Sequence, residues 1–306
     1  MRQFSSEDTS ASNAKENLWE QDEEGNWRID PERDALRMAN HTRVYHTKPD
    51  FDIVLEAVKK QFNSGEGAIQ FAPEAIARSN TDLLSSPESR KNFIDIYCSK
   101  GKEAAKKVLT QIDSSISESE LEHRLGRYGL NPCGEILGAD FHCNLAEIHL
   151  NQIDPSDEQG QEDAFKAAAL SVACLLNHKF TETRYQQSRE WDPIVGVSFT
   201  GLFDFFVHAF GTDWLKWWES GRPNTAQGQD FKRKEAEYLK KWRTIVNETV
   251  WSYCDRQGLR RPNRCTTVQP AGTKSLLTGA APGWHPPKAQ RFIRRITFRK
   301  NDPVAM

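Results

Sequence analysis

An amide, a thiol and a carboxylate stand at alternate positions in Asn131-Pro132-Cys133-Gly134-Glu135-Ile136, and a second thiol, Cys143, follows ten residues after the first in Phe141-His142-Cys143-Asn144-Leu145. In an extended chain side chains repeat with period two, so the three would project to one side. Pro132 biases its predecessor toward extended geometry and Gly134 permits a turn. The expectation is an active-site loop with three reactive groups over one concave surface. A nucleophilic cysteine needs a cation, a histidine or a helix N-terminus to lower its pKa. Glu135 does the opposite, because a like charge disfavours the thiolate. The neighbours therefore favour chemistry that uses the S–H bond itself over nucleophilic attack.

A second informative stretch runs from Cys265 to Leu277. A β-branched strand, Thr266-Thr267-Val268, leads through Pro270-Ala271-Gly272 into Thr273-Lys274-Ser275 and an apolar helix start. Free backbone N–H groups at such a helix N-terminus hold anions, and phosphate is the natural guest. An ordinary capped helix accounts for the same residues. The order Gly272-Thr273-Lys274-Ser275 is not that of a Walker loop, which argues against nucleotide hydrolysis.

The elements that must position these residues follow from periodicity. Residues 1–26 are rich in Ser, Glu, Asp and Asn and are expected to be a polar, disordered tail. Residues 27–306 are expected to form one folded domain. A short helix is expected from Trp27 through Arg37, then a helix with Ile53, Val54, Ala57, Val58 and Phe62 on one face. A turn at 65–67 leads into a strand to Phe71, and Pro73 opens a helix to about Asn80. Helical pieces fill 86–128, the last with a capping-box start at Ser117-Glu118-Ser119-Glu120. Residues 144–150 alternate as a strand, 157–176 form an alanine-rich helix, 192–202 pass from a buried strand into a helix, and 226–255 are helical again.

Bulk properties narrow the function. The 306 residues carry 41 Lys+Arg against 43 Asp+Glu, a net charge of -2, which removes a general electrostatic case for nucleic acid or anionic membrane as partner. A small-molecule substrate fits better. The longest apolar run, Ala167 to Leu176, is too short to span a bilayer and no basic-then-apolar leader opens the chain, so a cytoplasmic protein is expected. The six cysteines contain no Cys-x-x-Cys pair, which argues against zinc and against a secreted disulfide framework. Cys98, Cys174 and Cys254 read as packing thiols, and His142, His149 and His285 as structural. A hydrophobic fraction of 37% and a mean hydropathy of -0.71 are polar for a self-sufficient globule.

In combination these stretches resemble the catalytic middle of class II, adenosylcobalamin-dependent ribonucleoside-triphosphate reductases of the monomeric type. The resemblance lies in Arg37-Met38-Ala39-Asn40-His41-Thr42-Arg43, in Asn131 to Ile136, in Gln269 to Ser275 with Gly283-Trp284-His285-Pro286-Pro287, and in Ile293-Arg294-Arg295-Ile296. It implies an α/β fold, part of a ten-stranded barrel with a central cysteine-bearing finger loop. It implies reduction of ribonucleotides to deoxyribonucleotides by thiyl-radical chemistry, with adenosylcobalamin as cofactor and a thioredoxin-like reductant. Cys133 would carry the radical, Glu135 would handle the 3′-hydroxyl proton, Asn131 would orient substrate hydroxyls, and Cys143 would be one of two reducing thiols. Pro270, Ala271, Gly272, Thr273, Lys274 and Ser275 would cradle the substrate phosphates.

The second reducing cysteine of that family lies upstream of the matching region, and its mobile C-terminal thiol pair lies downstream. The chain is therefore expected to be one section of a longer or split enzyme that joins complementary fragments. The competing expectation is a catalytically incomplete fragment that only associates with them.

Overall fold

Five consecutive buried residues, His41–Tyr45, form the middle strand of a three-stranded parallel sheet between Arg2–Ser5 and Ala68–Phe71. A parallel strand covered on both faces is buried throughout, which these five residues satisfy. The helix Phe51–Ser64 makes the crossover that two parallel neighbours require. In this computed structural model residues 2–37, 39, 41–64, 68–286, 293 and 303 are described. Met38, Asn40, the 65–67 turn, Pro287 and Arg294-Arg295-Ile296 from the stretches singled out above lie outside them.

The chain divides into two compact units. The first comprises residues 1–146, 165–197 and 242–267. Its N-terminal stretch is not the expected disordered tail. Arg2–Ser5 pairs in register with His41–Val44, Asp8 caps the helix Thr9–Asn13, and Leu18 is buried. Polar composition hid this because one edge strand needs little apolar surface when the central strand supplies its hydrogen bonds. Four helices, Ala72–Ser79, Pro87–Lys100, Lys102–Ile112 and Glu118–Leu125, enclose a core of Ile76, Leu84, Phe93, Tyr97, Leu109, Leu121 and Leu125. Ser86 and Ser89 form a reciprocal capping box with Pro87 in the first turn. Ser117 caps as expected by accepting from Glu120 N at 3.2 Å, but the Glu120 carboxylate turns to Arg124 and Arg260. Later in the unit, Trp242, Val246, Val250 and Cys254 are buried at helical spacing on Ala226–Gln257, with Phe165 stacked on Trp242 at 5.0 Å.

The second unit comprises residues 147–164, 198–241 and 268–306. Its core is aromatic. The helices Leu202–Phe210 and Thr212–Glu219, separated by Gly211 at φ +78°, bury Phe203, Phe205, Phe206, Trp214 and Trp217. Trp214 Nε1 donates to Glu235 at 2.7 Å, and Arg222 holds the other carboxylate oxygen at 2.6 Å, so the buried indole N–H and the acid are both satisfied.

The strands form one three-stranded and three two-stranded sheets among the described residues. The class is mixed α/β, as expected. The strands Leu145–His149 and Gly196–Thr200 and the helices Glu158–Cys174 and Leu202–Phe210 fall where periodicity put them. No helix among the described residues is long and apolar enough to cross a membrane.

Candidate functional site

The Cys133 loop is the tip of a hairpin, not an extended segment. Gly129–Leu130 pairs antiparallel with Leu137–Gly138, and the chain between them folds back on itself. Gly134 N donates to Asn131 O at 2.9 Å, which makes Pro132 and Cys133 the central residues of a turn, and Asn131 N donates to Ile136 O at 3.3 Å. Proline suits the first central position of such a turn, and Gly134, at φ +76°, takes the left-handed conformation that follows. The period-two projection expected above is thus corrected: local hydrogen bonds across a six-residue loop displace extended geometry.

Each reactive residue takes a distinct place. Cys133 is exposed at the tip. Asn131 is half-buried, and its Oδ1 accepts from Ile136 N at 3.0 Å, so its carbonyl closes the loop. Glu135 returns to the wall of the unit, where Thr267 Oγ1 donates to its backbone carbonyl at 2.7 Å. One oxygen of its side chain, Oε2, is buried with no hydrogen-bond partner. Buried carboxylate oxygens are normally paired, so this oxygen keeps an acceptor position that no protein donor fills. Cys143 is half-buried, and burial pushes its thiol up to about 11, with the Glu135 carboxylate and Cys133 pushing the same way. The hairpin therefore brings Cys133, Glu135 and Cys143 within electrostatic reach of one another and holds Cys143 as S–H at neutral pH.

The hairpin is anchored at its base by buried polar groups. Gln3 and Gln70 both donate to Tyr128 O, at 3.2 and 2.5 Å, and Ser79 Oγ donates to Arg127 O at 2.6 Å. Arg264 donates to Leu137 O at 3.3 Å and to Asp192 Oδ2 at 2.7 Å, and the Arg127 Nε lies 3.4 Å from the same oxygen. Arg127 and Asp192 are fully enclosed, so this charge set is stable only as a set. Burial lowers the Arg127 pKa while Asp192 opposes the shift, and the guanidinium stays charged at neutral pH. Gly138 is obligatory for packing, since a Cβ there would meet Phe141 at 2.7 Å and Ile194 at 2.8 Å.

The proposed phosphate cradle lies in the second unit and differs from expectation. Directly after Gly272 the chain forms a single 3-10 turn, Lys274–Leu277, where the start of a helix was expected. Four residues give no useful macrodipole, and Leu276 and Leu277 point outward, 57% and 81% exposed. Pro270, Gly272, Thr273 and Lys274 are exposed, whereas Ala271 and Ser275 are buried and Ser275 N donates back to Ala271 O at 3.1 Å. Ala271 adopts φ +51°, a strained position for a residue with a Cβ. The Lys274 ammonium donates to Gln269 Oε1 and lies 3.4 Å from Glu147 Oε2. The Glu147 side chain is buried, and neither of its oxygens has a hydrogen bond, nor has Gln269 Nε2. Gly283, at φ +56°, packs so tightly against this turn that a Cβ would sit 2.6 Å from Gln269 O.

Sequence reasoning missed Thr267, Arg264, Glu147 and Gln269 as supporting residues. Thr267 and Gln269 alternate along the strand that leads to the cradle, and Glu147 sits at an alternating position of 144–150, so period-two spacing was the available signal. Nothing in the local pattern pointed to Arg264.

The hairpin carries an exposed thiol, Cys133, and a carboxylate with an orphan oxygen, Glu135, and the protonated Cys143 just beyond it feels both. The chain is similar to adenosylcobalamin-dependent ribonucleoside-triphosphate reductases. It is 29% identical over 216 residues to that of Lacticaseibacillus paracasei, covering 63% of this chain and 28% of the relative. The Levilactobacillus brevis and Lactobacillus leichmannii reductases are each 27% identical, over 184 and 186 residues, covering 58% of this chain and 24% of each relative. The chain thus spans about a quarter of the length of the curated relatives it matches. A solved B12-dependent class II ribonucleotide reductase overlays on 83% of this chain and 51% of its own, with TM-score 0.41 and 13% identity. No protein-family model matches the chain.

Proposed function

We propose that this chain carries the radical-thiol section of a ribonucleoside-triphosphate reductase, in which Cys133 abstracts the 3′-hydrogen of the ribose as a thiyl radical. The observation that carries this reading is the unpartnered, buried Oε2 of Glu135 on the same hairpin as Cys133 and beside a protonated Cys143. A carboxylate oxygen with no protein donor is free to take the proton of the 3′-hydroxyl. The Asn131 carbonyl is committed to Ile136 N, so the amide NH2 is the group that meets substrate hydroxyls. Cys143 gives one hydrogen to the 2′ carbon. The balance is one ribonucleotide and two thiols to one deoxyribonucleotide, one water and one disulfide, with the second thiol and the thioredoxin-like reductant contributed from outside this chain.

The residues present fit adenosylcobalamin as the radical source. Pro132, Cys133 and Gly134 are all exposed, and a Cβ on Gly134 would meet nothing within 4 Å, so the loop tip would leave the sulfur open to a bulky cofactor. When bound, that cofactor supplies a carbon-centred radical by homolysis of its cobalt–carbon bond. In this reading the chain's strands belong to a ten-stranded barrel completed by complementary fragments, and the assembled enzyme works in the cytoplasm.

The test is Cys133→Ser in the complete reductase containing this section. Deoxynucleotide formation and exchange of hydrogen from the ribose 3′ position should both fall to background, because an alcohol O–H bond is too strong to exchange hydrogen with carbon. Formation at an undiminished rate would remove the assigned role.

A further inference from the structure

A cavity of about 460 Å3 in the first unit is lined between residues 12 and 60, with no contribution from the Cys133 hairpin. That volume lies within the roughly 300–1,000 Å3 typical of small-molecule sites. One wall is the two-stranded hairpin Trp19–Gln21 and Trp27–Ile29, whose register sets Trp19 opposite Ile29 and Gln21 opposite Trp27. Directly opposed residues share a face and alternate residues repeat it, so both indoles project to the same side. Both line the cavity and both are open to solvent, Trp19 at 45% and Trp27 at 64% exposure.

The other wall is cationic and buried. Lys15 and Arg43 line it at 7% and 8% exposure. Arg43 Nε and Nη2 donate to Ser12 Oγ and Ser12 O, each at 3.2 Å, and its guanidinium lies 5.9 Å from the Phe4 ring. No carboxylate pairs with Arg43 among the described residues. The cavity's acids are spent or peripheral: Glu16 is paired with Lys60 at 2.8 Å, and Glu56 is exposed. A buried guanidinium without a counter-charge is costly, and an incoming anion removes that cost. Exposed indoles beside it offer flat apolar faces to a planar ring.

We propose that this cavity binds a nucleoside monophosphate, with the base on Trp19 and Trp27 and the phosphate on Lys15 and Arg43. The assignment is independent of the Cys133 chemistry, and a monophosphate separates it from a triphosphate substrate. The experiment is calorimetric titration of the full chain with adenosine monophosphate, and with adenosine and ribose 5-phosphate as its two halves. Adenosine monophosphate should bind with Kd below about 1 mM, and Trp27→Ala and Arg43→Gln should each weaken it by about tenfold or more. Trp27→Ala should leave ribose 5-phosphate binding unchanged, and Arg43→Gln should leave adenosine binding unchanged. Cys133→Ser and Thr273→Ala should not alter binding of the monophosphate. Trp27 is surface-exposed, so its variant tests the site even if Arg43→Gln perturbs the sheet. No binding, equal binding by Trp27→Ala, or loss of binding in Thr273→Ala would each overturn the proposal.

Discussion

Replacing Glu135 by glutamine should make Cys143 easier to ionise, and the size of the change is bounded by the structure. Burial is the first cause of the raised Cys143 pKa and the Glu135 carboxylate the second, together moving the thiol from an ordinary 9.0 to about 11. At pH 8 an ordinary thiol is about one-tenth thiolate, and one at about 11 roughly one-thousandth, so Cys143 should alkylate about 100-fold more slowly than a small-molecule thiol. Glu135→Gln keeps the volume and removes the charge. The pH midpoint of Cys143 labelling should then fall, yet stay above 9.0 because burial remains. Iodoacetamide labelling in short pulses, followed by mass spectrometry of the Cys143 peptide, between about pH 7 and 12 reads both values. A midpoint below 9 in the parent chain, or an identical curve in Glu135→Gln, would refute the claim that the hairpin brings carboxylate and thiol together.

Asp192→Asn should cost about 3–5 kcal/mol in urea denaturation, since it leaves the buried Arg127 and the Arg264 guanidinium without their shared counter-charge. Burial and the nearby Arg127 lower the His123 pKa to about 4. Below its ordinary 6.5 the unfolded chain binds the proton first, so stability present above pH 6.5 should decline as pH falls toward 4, and His123→Gln should flatten that decline in pH-dependent melting. At the alkaline end, Cys143 and Cys254 at about 11 and Cys265 at about 12 are all raised by burial. Their stabilisation is full below about pH 9 and is lost as pH rises through those values, which the same melts would register. Gly283→Ala should destabilise more than Gly134→Ala: both glycines have positive φ, but only Gly283 also sets a Cβ against a carbonyl oxygen, at 2.6 Å. Comparative thermal unfolding decides the order.

The residues of the candidate site could be picked out in the chain because they are local. Asn131, Cys133 and Glu135 fall within five positions, their types limit the chemistry available, and Cys143 is close enough for one hairpin to bring it in. The helices Phe51–Ser64 and Ala226–Gln257 and the strand Gly196–Thr200 were equally visible, since apolar periodicity is a property of the segment itself. Residues 2–5 became a strand only because His41–Tyr45, some forty residues on, offered its free edge. The Cys133 loop turned back instead of extending because Gly134 and Ile136 found acceptors on Asn131. The reach of Arg264 to Leu137 and Asp192 depends on partners distant in the chain, and the burial that leaves Glu135 Oε2 without a donor is a property of the folded neighbourhood. Short-range pattern sets which side chains are present and their local rhythm; burial and hydrogen-bond satisfaction, which are sums over the folded neighbourhood, decide which of them are left with something to do.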